Sequence, residues 1–381
     1  MSKDMIRLGD VATYVNGYAF KPEDRGNVGL PIIRIQDLTG HAYDLGFYDG
    51  EYPSKIEINN GDILISWSAS LGVYVWDKGK ALLNQHIFKV VFDKVDIDKK
   101  YFVYAVRRKL DEMVMKTHGA TMKHIVKKDF DETKIPYPTM EEQIEIAKKL
   151  DKVLYIIQKR KQELELLDDL IKARFVEMFG NPVLNDKGWE QKSLGEITTK
   201  IGSGATPKGG KEAYQEEGIT LIRSMNVHNG QFEYKDLAHI SDEQASKLDN
   251  VTIEEDDVLL NITGASVARS CVVPNEILPA RVNQHVCIIR CKDCIIPEFL
   301  NKLLIDDNYQ DLLWSIAGSG ATRESITKQQ VENLQIILPM LELQKEFMAF
   351  CHQVTKSKVV VQKALDETQL LFDSLMQQYF G

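Results

Sequence analysis

Hydrophobic and polar residues alternate with two different periods along this chain, one typical of strands and one typical of helices. A strand-like region is followed by a helical one twice. Short apolar runs bounded by Gly, Asn and Asp fill residues 1 to about 138 and about 185 to 338, and they predict β-strands. Clear examples are the runs Leu30–Ile35, Asp62–Ser66 and Ile87–Phe92. A helical stretch near Tyr101–Lys116 adds an α component, so each region predicts a compact α+β domain of ordinary size.

Two further segments have the 3.6-residue period of long helices. After Pro138, Thr139 and Glu142 are spaced as a capping box, and the helical pattern continues to about Phe179. About forty residues at 1.5 Å each form a rod of ~60 Å. Steps of three and four residues give a mostly apolar heptad seam of Leu150, Val153, Ile157, Arg160, Leu164, Leu167, Ile171, Arg174 and Met178.

This seam requires a partner helix, and the end of the chain supplies one. Equivalent steps there give Val354, Val361, Leu365, Phe372, Leu375 and Tyr379. The simplest closure pairs the two long helices with each other. Because a globular domain separates them in the sequence, we predict an antiparallel pair related by a pseudo-twofold axis.

An ordered set of motifs occurs in both halves, at an offset that increases from 186 to 201 residues. Collinear motifs with small insertions between them are typical of a duplicated structural unit. The matched pairs are Leu8-Gly9 with Leu194-Gly195, Ile33-Arg34 with Ile222-Arg223, Asp62-Ile63-Leu64 with Asp257-Val258-Leu259, Asn84-Gln85-His86 with Asn283-Gln284-His285, Gly119-Ala120-Thr121 with Gly320-Ala321-Thr322, and Pro138 and Gln143 with Pro339 and Gln344. We therefore predict two similar α+β domains, at 1–138 and 185–338, separated by long antiparallel helices at 139–184 and 339–381.

Length and cysteine content favour a cytoplasmic globular protein. The 381 residues suffice for two or three domains, and they include neither an apolar run of membrane-spanning length nor an N-terminal signal pattern. Five cysteines, all in the second half, predict free thiols. Cys287, Cys291 and Cys294 have a zinc-like spacing, with Cys271 or His285 as a possible fourth ligand. The first repeat lacks counterparts, so buried thiols are the preferred interpretation and no metal is predicted.

Net charge argues against a nucleic-acid partner, whereas the local charge distribution argues for one. The chain carries a net charge of −9, and polyanions are normally bound by basic surfaces. Between residues 99 and 128, only Asp111 and Glu112 oppose nine basic residues: Lys99, Lys100, Arg107, Arg108, Lys109, Lys116, Lys123, Lys127 and Lys128. This basic run is either a solvated helix face or part of a DNA-binding surface.

No catalytic motif is complete in the sequence. The stretch Gly204–Lys211 resembles a phosphate loop, but its Gly–Lys spacing differs and Glu212 replaces the Mg²⁺-binding hydroxyl. Glu132-Thr133-Lys134 matches half of a nuclease motif, a pattern too short to distinguish from a solvated turn. The Pro-Pro dipeptide that an adenine methyltransferase motif requires does not occur.

Two pairs of loop motifs offer polar groups for recognition. Asn and Gln can pair bidentately with adenine, so the Asn-Gln-His triplets are candidates for base reading, with a structural role at a strand end as the equal alternative. In the Gly-Ala-Thr loops, Gly allows positive φ and the Thr hydroxyl can meet phosphate. Neighbouring residues differ between the copies: Met122-Lys123 against Arg323-Glu324, and Ser66-Trp67-Ser68 against Asn261-Ile262-Thr263. Two similar domains are thus expected to recognise two different targets.

Together these motifs resemble those of the DNA specificity subunit of type I restriction–modification systems, over the whole chain. The resemblance also rests on Ile135–Pro138 before Glu141-Glu142-Gln143, and on Phe179–Pro182 ahead of Gly188-Trp189. The chain ends on Phe380-Gly381, which matches Phe179-Gly180. The duplicated order of these motifs is more specific than any one of them.

The resemblance implies a noncatalytic subunit with two target recognition domains, each reading one half of a bipartite, asymmetric site in double-stranded DNA. The helices would set the spacer and bind two methyltransferase subunits, which restriction and translocase subunits then join. No cofactor is expected in this chain, because S-adenosylmethionine, ATP and Mg²⁺ belong to the partner subunits. Half-sites one DNA turn apart are separated by ~34 Å, which helices of ~60 Å can span.

The candidate contact residues lie mainly on loops. In the first domain, the predicted DNA contacts are Lys21, Arg34, Gln36, Ser68, Asn84, Gln85 and Lys123. In the second domain they are Thr206, Lys208, Arg223, Asn226, Thr263, Arg269, Asn283, Gln284, Thr322 and Arg323. The predicted contacts with partner subunits are Leu150, Ile157, Leu164, Leu365 and Phe372.

The alternative from another class is a coiled-coil scaffold whose two heads bind proteins and have no DNA role. It predicts no affinity for duplex DNA at low salt, even with partners present. A self-contained nuclease or methyltransferase would instead require activity from this chain alone.

Overall fold

The computed structural model describes residues 4–41, 44–116, 125–207, 210–318 and 324–381. Contacts divide the chain into two compact units: residues 1–162 with 362–381, and residues 163–361. Each long helix is shared between the units, so this division groups the chain differently from the four consecutive segments suggested by the sequence. Among the described residues, no helix combines the length and apolar character needed to cross a membrane.

The described part of the first unit is an α+β structure. Its strands are β1 (Met5–Arg7), β2 (Thr13–Asn16), β3 (Leu30–Ile33), β4 (Gly46–Tyr48), β5 (Glu57–Ile58), β6 (Ile63–Ser66), β7 (Gly72–Val75), β8 (Ala81–Leu83), β9 (Ile87–Val91) and β10 (Lys134–Pro136). Its helices are α1 (Leu8–Val11), α2 (Ile35–Thr39), α3 (Lys99–Lys116), α4 (Lys127–Glu132), the first part of α5 (Met140–Phe179) and the last part of α10 (Leu341–Phe380), with 3-10 turns at Pro22–Asp24 and Ser54–Ile56.

The second unit has the same class of structure. Its described strands are β11 (Gln191–Ser193), β12 (Thr198–Ser203), β13 (Ile219–Ile222), β14 (Val227–His228), β15 (Gln231–Phe232), β16 (Ala238–Ile240), β17 (Val258–Asn261), β18 (Ser270–Val272), β19 (Ala280–Val282), β20 (Val286–Cys291) and β21 (Gln335–Ile337). Its helices are the last part of α5, α6 (Asp242–Ser246), α7 (Pro297–Leu304), α8 (Asp307–Gly318), α9 (Lys328–Glu332) and the first part of α10. Its 3-10 turns are Gly210–Ala213, Ser224–Asn226, Asp249–Val251, Gly264–Ser266 and Asn275–Ile277.

Sheet topology confirms the duplication. The strand order β2-β9-β6-β7 in the first unit corresponds to β12-β20-β17-β18 in the second. The order β4-β3-β8 corresponds to β16-β13-β19, and in both cases the last two of these strands, β3 with β8 and β13 with β19, are parallel. The ribbon β1-β10 corresponds to β11-β21. The predicted α+β class is therefore correct for both units.

The leucine of the repeated Leu-Gly motif is a structural anchor in each unit. Leu8 and Leu194 are fully buried, and their N–H groups donate to Thr133 O and Leu334 O at 2.8 Å. A buried leucine at this position therefore fixes the first strand of each repeat to the segment that precedes its long helix.

The repeated glutamines attach each long helix to its globular part. Gln143 and Gln344 are at most 1% exposed. Gln143 Oε1 accepts the Asp98 N–H and Gln344 Oε1 accepts the Ile296 N–H, both at 2.9 Å. Their amide nitrogens donate to the carbonyls of Pro138 and Pro339. Each glutamine therefore satisfies backbone groups that burial would otherwise leave without partners.

The long helices begin and pair as predicted. Thr139 and Glu142 form the capping box: Thr139 N–H donates to Glu142 Oε2 at 3.0 Å, and Glu142 N–H donates to Thr139 Oγ1 at 3.3 Å. In the second unit, Asp168 Oδ1 lies 2.5 Å from Lys358 Nζ and Arg174 Nη2 lies 2.9 Å from Glu346 Oε1, so α5 and α10 run antiparallel. In the first unit, Arg160 donates to Ala364 O and Thr368 Oγ1 across the same kind of pair.

Gly17 and Gly204 occupy matching positions that exclude a side chain. A Cβ at Gly17 would lie 2.0 Å from Asn84 O, and a Cβ at Gly204 would lie 1.8 Å from Val282 O. Both contacts are with backbone atoms of the adjoining strand or turn, which cannot rotate away as a side chain could.

Gly204→Ala is therefore expected to lower the free energy of unfolding by about 1–3 kcal/mol, the usual range for overpacking. Gly202→Ala, near the end of β12 and two residues before Gly204, is the control, because no heavy atom lies within 4 Å of its Cβ position. Its expected effect is within about 0.5 kcal/mol. Urea unfolding measures both, and equal losses for the two variants would contradict the steric argument.

Candidate nucleic-acid interface

Four strands of the first unit end at one edge. Parallel β3 and β8 finish side by side, with Ile33 opposite Leu83. The ends of β2 and β6 pair with the beginning of β9, Asn16 with Phe88 and Ser66 with Ile87. The turn 84–86 leads from β8 into β9 at this edge. We call this the turn edge of the unit.

Backbone hydrogen bonds from three directions fix this turn. Asn84 N–H donates to Ile33 O at 3.0 Å, Gln85 N–H donates to Tyr18 O at 2.9 Å, and Trp67 N–H donates to His86 O at 3.2 Å. The turn is therefore tied to the ends of β3 and β6 and to the loop after β2.

The second unit repeats the arrangement. Asn283 N–H donates to Ile222 O at 3.1 Å and Ile262 N–H donates to His285 O at 2.9 Å. Ends of β12 and β17 pair with the beginning of β20, Ser203 with Cys287 and Asn261 with Val286. The second unit has a turn edge of the same construction, built from the matching motifs.

Asn and Gln in these triplets have different roles. Asn283 is 5% exposed and its Oδ1 accepts the His285 N–H at 3.0 Å, while Asn84 Oδ1 accepts the Gln85 N–H at 2.9 Å. Both asparagines thus brace the turn. Gln85 and Gln284 are exposed. The structural interpretation therefore holds for the asparagines, and base reading by the glutamines stays a prediction.

A chain of polar side chains surrounds Gln284. Thr206 Oγ1 donates to Gln284 Oε1, and Gln284 Nε2 lies 3.1 Å from His285 Nε2. His285 Nδ1 lies 2.5 Å from Thr263 Oγ1. Three predicted contacts, Thr206, Thr263 and Gln284, are therefore brought together. His285 was not among the predicted contacts, although its place in the repeated triplet indicated it.

The first unit presents different groups at the same edge. The rings of Trp67 and His86 meet edge to face with centroids 4.9 Å apart, and Trp67 Nε1 donates to Asn16 Oδ1 at 3.3 Å. Ser68 follows this tryptophan and is half-buried. An aromatic cluster thus replaces the hydroxyl–amide–imidazole chain of the second unit.

Arg34 and Arg223 hold loops in matching ways. Arg34 Nε lies 3.1 Å from Asp37 Oδ2, and its Nη2 donates to Asp44 O. Arg223 Nη2 donates to Asp236 O. Burial disfavours the charged form of Arg34, but Asp37 and Asp44 outweigh this and raise its pKa. We therefore assign both arginines a structural role, since DNA contact would require them to give up internal partners.

The prediction that Asn226 contacts DNA is wrong. Asn226 is fully buried, its Oδ1 accepts the Arg223 N–H at 3.1 Å, and its Nδ2 donates to Glu233 O at 3.0 Å. A side chain enclosed in this way shapes its loop and cannot reach a base. The sequence correctly indicated a polar residue in this loop, but it did not show that the Asn226 side chain is buried.

The remaining predicted contacts are accessible or lie outside the described residues. Lys21 and Gln36 are exposed, and Arg269 is half-buried in the loop between β17 and β18. The predicted contacts that fall outside the described residues are Lys123, Lys208, Thr322 and Arg323.

The described residues of the basic run at 99–128 do not form one surface. β9 runs from the turn edge at Ile87 to the opposite edge at Val91, and α3 begins beyond that opposite edge. At the other end of the run, Ile125 N–H donates to Trp67 O at 3.0 Å, which places it at the turn edge. Partners also neutralise several cations: Lys100 with Asp151, Lys109 with Glu112 and Lys127 with Asp131.

The cysteine geometry disfavours a zinc site. Cys287 and Cys291 are four residues apart on β20, or ~13 Å at ~3.3 Å per residue, too far for one ion. Burial raises the pKa of Cys287 and Cys291 to about 12, which disfavours the thiolate that a metal requires. Within the described ranges, no three His, Cys, Asp or Glu side chains converge to hold a metal.

The residues predicted to bind partner subunits face inward instead. Leu150, Ile157, Leu365 and Phe372 are at most 9% exposed, and Leu164 is half-buried. The four buried residues therefore cannot also present an apolar surface to a partner, and the prediction is wrong for them because one seam was given two roles. For Leu164 it stays a prediction.

Several exposed apolar residues of the long helices directly precede seam residues. In the second unit, Leu166, Leu170 and Val360 are 59%, 46% and 68% exposed, and each stands one position before a residue of the seam. In an antiparallel pair, this common offset puts them on the same side. We call these three residues the apolar face. In the first unit, Ile156 and Leu371 have the same offset and are also exposed.

Comparison with known proteins agrees with this duplicated architecture. The chain matches the type I restriction modification DNA specificity domain over residues 2–166 and 186–367. It is 24% identical over 404 residues to the type I restriction enzyme EcoBI specificity subunit of Escherichia coli, covering 98% of this chain and 83% of that protein. It is 24% identical over 365 residues to the MjaVIII specificity subunit of Methanocaldococcus jannaschii, covering 90% of this chain and 83% of that protein.

Solved structures share the fold. The S subunit of a type I restriction–modification system from M. genitalium superposes with a TM-score of 0.57 at 15% identity, over 100% of this chain and 96% of that chain. A chain from a study of complex assembly and conformational transition in a type I system gives a TM-score of 0.65 at 18% identity, over 99% and 97%. Since the matched family regions cover both repeats and most of the chain, the protein belongs to the type I restriction–modification DNA specificity family.

Proposed function

We propose that this chain is the noncatalytic specificity subunit of a type I restriction–modification enzyme, and that each unit reads one half of a bipartite, asymmetric DNA site. The observation that carries the proposal is the turn edge, which repeats the same strand ends and backbone hydrogen bonds in both units and surrounds a shared exposed glutamine with different side chains. A shared scaffold with different tips is what two unlike half-sites require. The long helices would set the spacer between the half-sites.

Gln284 is the strongest candidate for direct base reading. A glutamine amide has two N–H donors and an oxygen with two lone pairs. Contacts with Thr206 and His285 use one donor and one lone pair and hold the amide in a fixed orientation. The remaining donor and acceptor match the N7 and N6 groups of adenine in the major groove.

We expect Gln284→Ala to relax recognition at one position of one half-site, at a cost of about 1–3 kcal/mol in discrimination. Gln85→Ala is the matched change in the first unit and should relax the other half-site only. Sequencing of N6-methyladenine in cells that express each variant with the methyltransferase measures both. If both variants methylate the wild-type sequence with unchanged selectivity, glutamine is not the reading residue.

The catalytic activities of the enzyme would belong to partner subunits. In this proposal, two methyltransferase subunits bring S-adenosylmethionine, and restriction subunits bring the ATP- and Mg²⁺-dependent activities. The apolar face of the second unit supports docking, because exposed Leu and Val side chains on one side of a helix pair are suited to a partner helix. The assembly would act on DNA in the cytoplasm.

The scaffold alternative receives less support. It accounts for the helix pairing, but it gives no reason for two turn edges that share a backbone and differ in polar groups. Absence of DNA binding by the assembled complex at low salt would favour it.

A further inference from the structure

A cavity of about 280 Å³ in the first unit lies away from the turn edge. It is bounded by α3, α5 and the ends of β6 and β7 near Gly61 and Val75. Val75 pairs with Ile63 at one end of the β6–β7 ladder, whereas the turn edge is at the other end, where Ser66 pairs with Gly72. The cavity is therefore separate from the residues proposed to read DNA.

The cavity combines apolar walls with a cationic rim. Ile63, Val75, Val103 and Leu154 contribute the apolar surface, and Val75 is 56% exposed. The rim carries Lys99, Lys100 and Arg107 against one carboxylate, Asp151.

That carboxylate is already engaged. Asp151 Oδ2 lies 2.5 Å from Lys100 Nζ, and its Oδ1 accepts the Tyr104 hydroxyl at 2.7 Å. Lys99 and Arg107 therefore have no partner carboxylate among the residues that line the cavity, although Asp111 on the same helix interacts with the charge of Arg107.

The second unit does not repeat this rim. Asp98 and Ile296 make the same hydrogen bond with their glutamines, so residues of α3 correspond to positions 198 later. The counterparts of Lys99, Lys100 and Arg107 are then Pro297, Glu298 and Ile305. The pair Lys100–Asp151 becomes Glu298–His352, with Nε2 and Oε1 3.8 Å apart. The cationic rim is thus a feature of one repeat only.

We propose that this cavity binds one large apolar side chain from an acidic segment of a partner protein, once per chain. The excess positive charge selects an acidic segment, and the apolar walls select the anchor residue, as in interface pockets that bury a single large side chain. The proposal rests on the proposed function in that the partner is a subunit of the same complex.

Other occupants fit the cavity less well. DNA offers phosphates and base edges, which gain little from four apolar walls. Small-molecule sites usually exceed about 300 Å³ and enclose most of their ligand. A cavity open enough to leave Val75 more than half exposed is better suited to a side chain presented by another surface.

The test uses the full chain co-expressed with its neighbouring methyltransferase and restriction subunits and purified as a complex that methylates DNA. A photo-crosslinking benzoylphenylalanine replaces Val75 in one preparation and Val126 in another, because both are 56% exposed. Val126 follows Ile125, which is bonded to Trp67 at the turn edge. Crosslinking is done with duplex DNA present.

We expect Val75 to crosslink to a single acidic, apolar-anchored segment of a partner subunit, at no more than one partner per chain. Arg107→Glu and, separately, Lys99→Glu should lower the yield at least tenfold without changing the unfolding midpoint. Changing one acidic residue of the mapped partner segment to Lys should restore the crosslinking yield of the Arg107→Glu variant.

Other results at Val75 overturn the proposal. These are a crosslink to DNA, no crosslink, or a protein crosslink that neither charge reversal weakens. The Val126 position reports separately on the proposed function, because it should crosslink to DNA whatever happens at Val75. A Val126–DNA crosslink with no Val75 product would remove the partner site and leave the DNA role in place.

Discussion

Leu166→Glu combined with Val360→Glu should abolish methylation by the complex while leaving this chain folded. Both residues lie on the apolar face and are 59% and 68% exposed, so their loss removes little internal packing. In a complex, each glutamate would place an unpaired charge in an apolar contact. We expect the affinity for the methyltransferase subunit to fall at least about 100-fold, or ~2.7 kcal/mol. Isothermal titration with the purified methyltransferase subunit measures this.

Val359→Glu is the matched control. Val359 is 64% exposed but is rotated by about 100° from Val360 on the same helix, away from the apolar face. It adds the same charge at almost the same place in the sequence. If Val359→Glu weakens binding as much as Val360→Glu does, the partner does not dock on the apolar face.

Asp257→Ala should lower the free energy of unfolding by about 3 kcal/mol. The Asp257 carboxylate is fully buried, and its two oxygens each lie 2.8 Å from a nitrogen of Arg290. Oδ2 also accepts the Glu254 N–H at 2.8 Å. Removing one partner of a buried pair usually costs about 3–5 kcal/mol, and the 21% exposure of Arg290 places this case at the lower end.

Two substitutions distinguish this buried pair from ordinary surface charge. Glu254→Gln removes the second carboxylate near Arg290, but that side chain is 62% exposed and its loss should cost under about 1 kcal/mol. Asp62, the counterpart of Asp257, is 25% exposed and pairs with Lys89 at 3.0 Å, so Asp62→Ala should cost less than Asp257→Ala. Equal urea midpoints for all three variants would show that burial is not the determining factor.

The architecture was predictable because duplication and periodicity are recorded directly in the sequence. Leu8, Asp62 and Gln143 recur at fixed order in the second half, and the structure shows why: they occupy buried or hydrogen-bonded anchor positions in both units. The capping box at Thr139 likewise gave the start of α5 to within one residue.

The functional surfaces were harder to predict, because polarity does not reveal which polar side chains are already bonded. The side chains of Arg34 and Asn226 have groups that could bind DNA, but these groups already donate hydrogen bonds to carbonyl and carboxylate oxygens within the protein. A heptad seam indicates that a helix has a partner without saying which helix it is. A useful signal was an apolar residue one position before some of the seam residues, as at Leu170 and Val360, since internal pairing does not explain it.

The central claim is that two similar units read two different halves of one DNA site, and the most direct measurement is a methylome. The chain would be expressed with its neighbouring methyltransferase, the DNA sequenced for N6-methyladenine, and the experiment repeated without the chain. We predict a split, asymmetric motif that appears only when the chain is present. Methylation that is identical without the chain, or a continuous unsplit motif, would contradict the account.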